Sequence, residues 1–324
     1  MLARIASELY WVGRNIVRAE HTARMLDGLF LLELEGGAED PASVPLSWQS
    51  IVVVMGIEDA EAAGSDITRE GVIRSLSGDR DNPYSLISCV GAAREGARQL
   101  RETLPAEVWE SLNTYHLTMR RRNLEHGPRT GPDSAYSYVK ERSALFWGLC
   151  LATMQRDAAY SFLGAGARIE AAEMVLRMLR VAFPPVRSAD DESLELPRRD
   201  GNAIALLRAT GGFQAFMRSA AAAPRAEPVA RFLLFESAFP DSVAGSVTQL
   251  GRLVGRIDPA GSTATLRIAR LISDLGLRSR SELTPAEMPR AFREIQNEIE
   301  RVESDIAARY FSPDDQGIQH AVLS

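Results

Sequence analysis

Two stretches of this chain carry charges at spacings that suit chemistry. The first holds Arg14, Arg18, Glu20 and Arg24. The second, far along the chain, holds Arg168, Glu170, Glu173 and Arg177. Paired guanidiniums clamp a carboxylate or phosphate through parallel N–H donors. A buried Glu with a raised pKa relays a proton, whereas one paired to Arg stays charged. Arg18, Glu20, Arg24, Glu170, Glu173 and Arg177 together contain groups for holding an anion and for moving a proton. The competing readings are plainer. Glu20–Arg24 and Glu173–Arg177 stand four residues apart, and such surface pairs contribute only about 0.2–0.5 kcal/mol each. Alternatively the charges form an interhelical ion-pair network that only fixes packing. No nucleophile, metal-ligand set or nucleotide loop accompanies them.

Composition narrows the chemistry further. The 324 residues are 45% hydrophobic and 25% charged, ordinary for a globular protein. The net charge of −6 sets up no basic field for nucleic acid. Lys140 is the only lysine, so a phosphate loop ending in Lys is absent and Schiff-base chemistry would rest on one unsupported residue. Cys89 and Cys150 sit among apolar or small residues and read as core thiols. His21, His116, His126 and His320 form no zinc motif with them, and no Glu-x-x-His pair suggests a di-metal bundle. Neither a signal peptide nor a spanning segment is evident: the apolar run Ile51–Val54 meets Glu58, Asp59 and Glu61, far short of roughly 20 apolar residues. A soluble cytoplasmic chain without membrane or nucleic-acid partners is expected.

The charges are positioned by two matched helices, expected near 3–34 and 157–183. In the first, Ile5, Leu9, Val12, Ile16, Ala19, Ala23, Leu26 and Phe30 step by fours and threes along one face. Shifted by 153 residues, from Gly13 to Gly166, the same positions hold Ala158, Phe162, Ala165, Ile169, Ala172, Leu176, Leu179 and Phe183. The shift also aligns Glu20 with Glu173, Arg24 with Arg177 and Met25 with Met178. Glycine inside a helix costs roughly 0.5–1 kcal/mol relative to Ala, so Gly13 and Gly166 point to a close helix crossing.

Further helices are expected over Trp48–Ala63, Arg69–Leu76, from Pro83 behind an Asn82 cap, from Pro105 to Met119, and from Tyr136 to Met154. Asp157 caps the second matched helix, and Pro184–Pro185 end it. Residues 186–201 are polar and read as a mobile segment. Helices over Ala203–Ala223, Pro228–Phe239, Val243–Ile257, Thr265–Leu275 and Ala286–Tyr310 complete the chain. Trp109 and Trp147 read as packing groups. No segment alternates as a strand. The expectation is one all-α domain over 1–324, a multi-helix bundle with two internally repeated helical halves.

Particular residues bring a family resemblance. Leu9-Tyr10-Trp11-Val12-Gly13-Arg14, Arg18-Ala19-Glu20 and Thr22-Ala23-Arg24-Met25-Leu26-Asp27 resemble the opening of the bacterial alpha-E domain proteins, an all-helical family with a Glu-Arg motif. Asn82-Pro83, Arg94-Glu95, Trp109, Arg156-Asp157, Phe232-Leu233, Phe239-Pro240 and Ser242-Val243 extend the resemblance over nearly the whole chain. The family pattern carries Glu then Arg in both repeats. Here the first copy has Val17 then Arg18, and the second has Glu170 then Ala171. Each half keeps one member, so Arg18 and Glu170 either rebuild one site across the repeat or mark a decayed one. Arg14 and Arg168 are further candidates for the missing Arg. The resemblance implies a gene setting with an ATP-grasp protein and a transglutaminase-like protein, and hence amide or peptide-bond chemistry on a peptide or small metabolite. It implies an accessory, partner-binding role beside an ATP-grasp protein or a second alpha-E protein. The alternative is an enzyme with a split Glu-Arg cleft. No intrinsic cofactor is expected, and ATP would be used by the partner.

Overall fold

The computed structural model describes residues 1–34, 48–55, 68–122, 124, 130–131, 133–184, 203–219, 223–281, 283–284 and 286–311. Among these the chain is all-helical, with no strand. The elements are α1 (Ala3–Leu34), α2 (Trp48–Val54), α3 (Arg69–Ser77), α4 (Leu86–Gln99), α5 (Ala106–Arg121), α6 (Ala135–Thr153), α7 (Ala158–Ala182), α8 (203–209), α9 (Phe213–Ser219), α10 (Ala226–Phe235), α11 (Val243–Ile257), α12 (Thr263–Arg278) and α13 (Met288–Tyr310).

The matched helices α1 and α7 pack against each other along the middle of the molecule. Their expected seams are buried from Leu9 to Phe30 and from Phe162 to Phe183. α7 is buried on nearly every side, as a helix surrounded by others must be. Around α1, helices α4, α5 and α6 close a ring of four. Around α7, helices α11, α12 and α13 close a second. α11, α12 and α13 are amphipathic, with apolar rows such as Ile295, Ile299, Val302 and Ile306 facing inward.

The two seam glycines permit the central contact. A Cβ on Gly13 would lie 2.0 Å from the Leu163 carbonyl oxygen, and one on Gly166 would lie 1.9 Å from that of Tyr10. The two contacts exchange under the 153-residue shift, since Tyr10 moves onto Leu163 and Gly13 onto Gly166.

Side-chain oxygens start several helices by accepting exposed backbone N–H groups. Asp157 accepts from Tyr160 N, Ser242 from Gly245 N, and Ser262 forms a capping box with Thr265. Three expectations need correction. α4 starts at Leu86 behind a Ser85 cap, not at Pro83. Asn82 instead accepts from Tyr84 N and donates to Ser75, holding Pro83 in the turn. The single helix expected over Ala203–Ala223 is broken at Thr210–Gly212, where Gly211 takes φ +70°, a left-handed conformation that helices do not continue through. α10 also ends at Phe235, short of Phe239. α2 is described only as far as Val54, so the rest of Trp48–Ala63 lies largely outside the described residues, as does the polar stretch 186–201. Both cysteines are buried and free. Burial pushes each thiol up to about 12, which makes them poor nucleophiles.

Candidate functional site: a buried Arg–Glu network between α1 and α7

Arg14 and Arg18 stand one turn apart on α1 and face Glu170 on α7. Arg18 grips Glu170 with two donors, Nε to Oε1 at 2.7 Å and Nη2 to Oε2 at 2.9 Å. Arg14 Nε donates to Glu170 Oε2 at 2.7 Å. One carboxylate therefore accepts three hydrogen bonds from two guanidiniums. Arg14 also reaches Glu173 Oε2 through Nη2 at 2.5 Å and Glu303 Oε1 through Nη1. Tyr10 donates its hydroxyl to the same Glu303 oxygen at 3.0 Å. The Arg14 guanidinium carbon lies 5.1 Å from the Trp11 ring centre, and that of Arg18 lies 5.2 Å from Tyr84. Arg14, Arg18, Glu170 and Glu173 are all buried, with Glu170 wholly inaccessible.

The burial decides the electrostatics. Desolvation alone would raise the Glu170 carboxyl, but Arg18 and Arg14 overcome it and hold it well below the usual carboxylate range. Arg14 and Arg18 stay charged in spite of burial because of the carboxylates around them. Glu173 goes the other way. Burial pushes it up to about 7; Arg14 opposes the rise, while neighbouring Glu303 adds to it. Glu170 adds to the rise as well, and Arg177 opposes it. Arg14 and Arg18 face Glu170, Glu173 and Glu303, and Arg177, at 3.4 Å from Glu173, is partly exposed to water.

The other predicted residues lie apart. Glu20 and Arg24 form their own i,i+4 pair at 2.6 Å in a partly exposed place, as the surface-pair reading had it. Arg168 donates to the Pro240 carbonyl and to Asp241, whereas Arg14 bonds Glu170. His21 is buried with Nε2 3.9 Å from Asp241, and burial lowers its pKa. On the opposite side of the helix crossing, Val17, Ala167 and Ala171 form a small apolar cluster with Trp147 packed on it. Under the 153-residue shift these three take the places of Glu170, Arg14 and Arg18. The seam is thus ionic on one side and apolar on the other.

Sequence reasoning missed Glu303, Tyr10 and Tyr84. Glu303 follows Val302 in the apolar row of α13, an acidic residue flanking a seam, and that was its one visible signal. Among the described residues no group of three His, Cys, Asp or Glu side chains is placed to hold a metal ion. No described helix is long and apolar enough to cross a membrane.

An all-helical chain built around a buried Glu–Arg joint is the class this geometry defines. Residues 1–311 match the Alpha-E family, described as a predicted alpha-helical domain with a conserved ER motif, and the chain belongs to that family. It is similar to an uncharacterised protein of Mycobacterium bovis at 25% identity over 297 residues, covering 86% of this chain and 32% of that protein. An uncharacterised protein of Mycobacterium tuberculosis matches at 24% identity over the same shares. The chain therefore spans about a third of the length of these curated relatives. No solved structure matches it.

Proposed function

We propose that this chain is a non-catalytic, partner-binding component of an ATP-grasp-associated system that forms amide or peptide bonds. The supporting observation is that the Glu–Arg site is engaged by the chain's own carboxylates. Arg18 spends two donors on Glu170, and Arg14 is bonded to three carboxylates. These bonds tie α1 to α7 and α13, as a structural joint does. The apolar replacement of the second dyad by Val17 and Ala171 points the same way. In the mycobacterial relatives the matched stretch is a part of a longer chain, which suits a helical unit that works beside others. ATP would be consumed by the partner, in the cytoplasm, on a peptide or small-metabolite substrate. Partners fitting this reading are an ATP-grasp protein or a second alpha-E protein.

A split-site enzyme is the second reading, and one observation favours it. Burial raises the Glu173 carboxyl to about 7 beside Glu303, which is 25% exposed, an arrangement suited to passing a proton. Co-expression with an ATP-grasp protein encoded beside this chain, followed by size exclusion with light scattering, tests the partner-binding reading. Joint elution is expected; separate elution at high concentration of both proteins contradicts it.

A further inference from the structure

We propose that Arg14 and Tyr10 form a receptor for a ligand carboxylate, and that Glu303 of α13 occupies it as a built-in stand-in. Arg14 Nη1 and the Tyr10 hydroxyl converge on a single oxygen, Glu303 Oε1. Two donors aimed at one carboxylate oxygen make a carboxylate site whatever molecule supplies that oxygen.

Three observations separate Glu303 from the other acids of the network. Glu170 and Glu173 belong to α7 and are buried with the central seam, whereas Glu303 comes from a different helix. Glu303 is the carboxylate of the three that water reaches, at 25% exposure against 0% and 5%. Of the three it is also the one that accepts from the Tyr10 hydroxyl as well as from Arg14. Withdrawal leaves the apolar grip of α13 in place, because Ile299, Val302 and Ile306 pack on the other side of the helix from solvent. It would strip Arg14 Nη1 and the Tyr10 hydroxyl of their acceptor, and a buried donor without an acceptor is costly. A ligand carboxylate entering where Glu303 leaves restores both bonds at unchanged charge. A free small acid and the terminus of a peptide share this chemistry.

This inference names a ligand class and stands apart from the partner-binding reading, because its test uses the full chain alone. The probes are propionate with propionamide, and acetyl-glycylglycine with its amide, followed by thermal shift and hydrogen exchange. Glu303→Gln keeps the shape but holds Arg14 less well than a carboxylate does. Carboxylate probes are expected to bind E303Q about tenfold more tightly than wild type, equivalent to about 1.4 kcal/mol. In wild type they should speed exchange around residues 299–306, and neither amide should act. Binding of both carboxylates assigns the site to small acids in general, and binding of the peptide acid alone assigns it to a peptide terminus; each supports the proposal. If E303Q folds poorly, E303D, which shortens the reach, serves in its place. Equal affinity of the carboxylates for variant and wild type, or equal action of acid and amide, overturns it.

Discussion

Glu170 sits where water does not reach and is held by three N–H donors, so its charge depends on Arg14 and Arg18. Removing one partner of a buried ion pair leaves the other uncompensated, a loss of about 3–5 kcal/mol. Glu170→Gln and Arg18→Met should each lose stability on that scale in urea unfolding. Their double variant should lose clearly less than the two losses added, because the second change removes a charge already stranded. Additive losses would mean that the two side chains do not support each other. Glu173 makes the opposite pH prediction to Glu170. Its folded-state value, about 7, lies above its ordinary 4.5. The proton it holds favours the folded state fully below about 4.5, and that contribution is lost as pH rises through about 7. Glu170, held low, contributes above its ordinary value and loses that contribution on acidification. Glu173→Gln keeps a neutral group in place at all pH. It should therefore be more stable than wild type at pH 8, by on the order of 1–3 kcal/mol, and should flatten the fall in stability between pH 4.5 and 7. Thermal unfolding across that range checks it. A variant curve parallel to wild type would mean that Glu173 is ionised throughout.

At the scale of elements, the α1–α7 crossing depends on two missing side chains. Gly13→Ala would place a Cβ 2.0 Å from a carbonyl oxygen of the other helix, and backbone cannot swing aside as a flexible side chain does. A loss of about 3 kcal/mol is expected, at the upper end for overpacking, together with disturbance of the Arg14 and Arg18 bonds nearby. Chemical denaturation checks it; a neutral outcome would show the helices to be farther apart. Much of this architecture was legible in the sequence. The seams of α1 and α7 were visible because every inward position is apolar at helical spacing, and the glycines because nothing else explains them there. Arg18 and Glu170 were legible as residues worth watching, but not their contact, which packing creates across 152 positions of chain. Glu303 was invisible as a partner for the same reason, lying 289 positions from Arg14. The break at Gly211 was missed because the apolar pattern continues past it. The start of α4 was misplaced because Asn82-Pro83 carries a valid start signal that a competing turn uses instead.

Among the described residues, the centre of the molecule is two rings of four helices joined along α1 and α7, with charge on one side of the joint and an apolar cluster on the other. In our reading the surviving Glu–Arg pair holds the two rings together, and the chain acts through what binds its outer surface. The most direct test is product formation by the reconstituted system, measured per folded, partner-bound molecule, for Glu170→Gln and Arg18→Met. The account predicts that both variants lose folded protein while each folded molecule supports wild-type turnover. Folded, partner-bound variants that form no product would contradict it and place the pair in the chemistry.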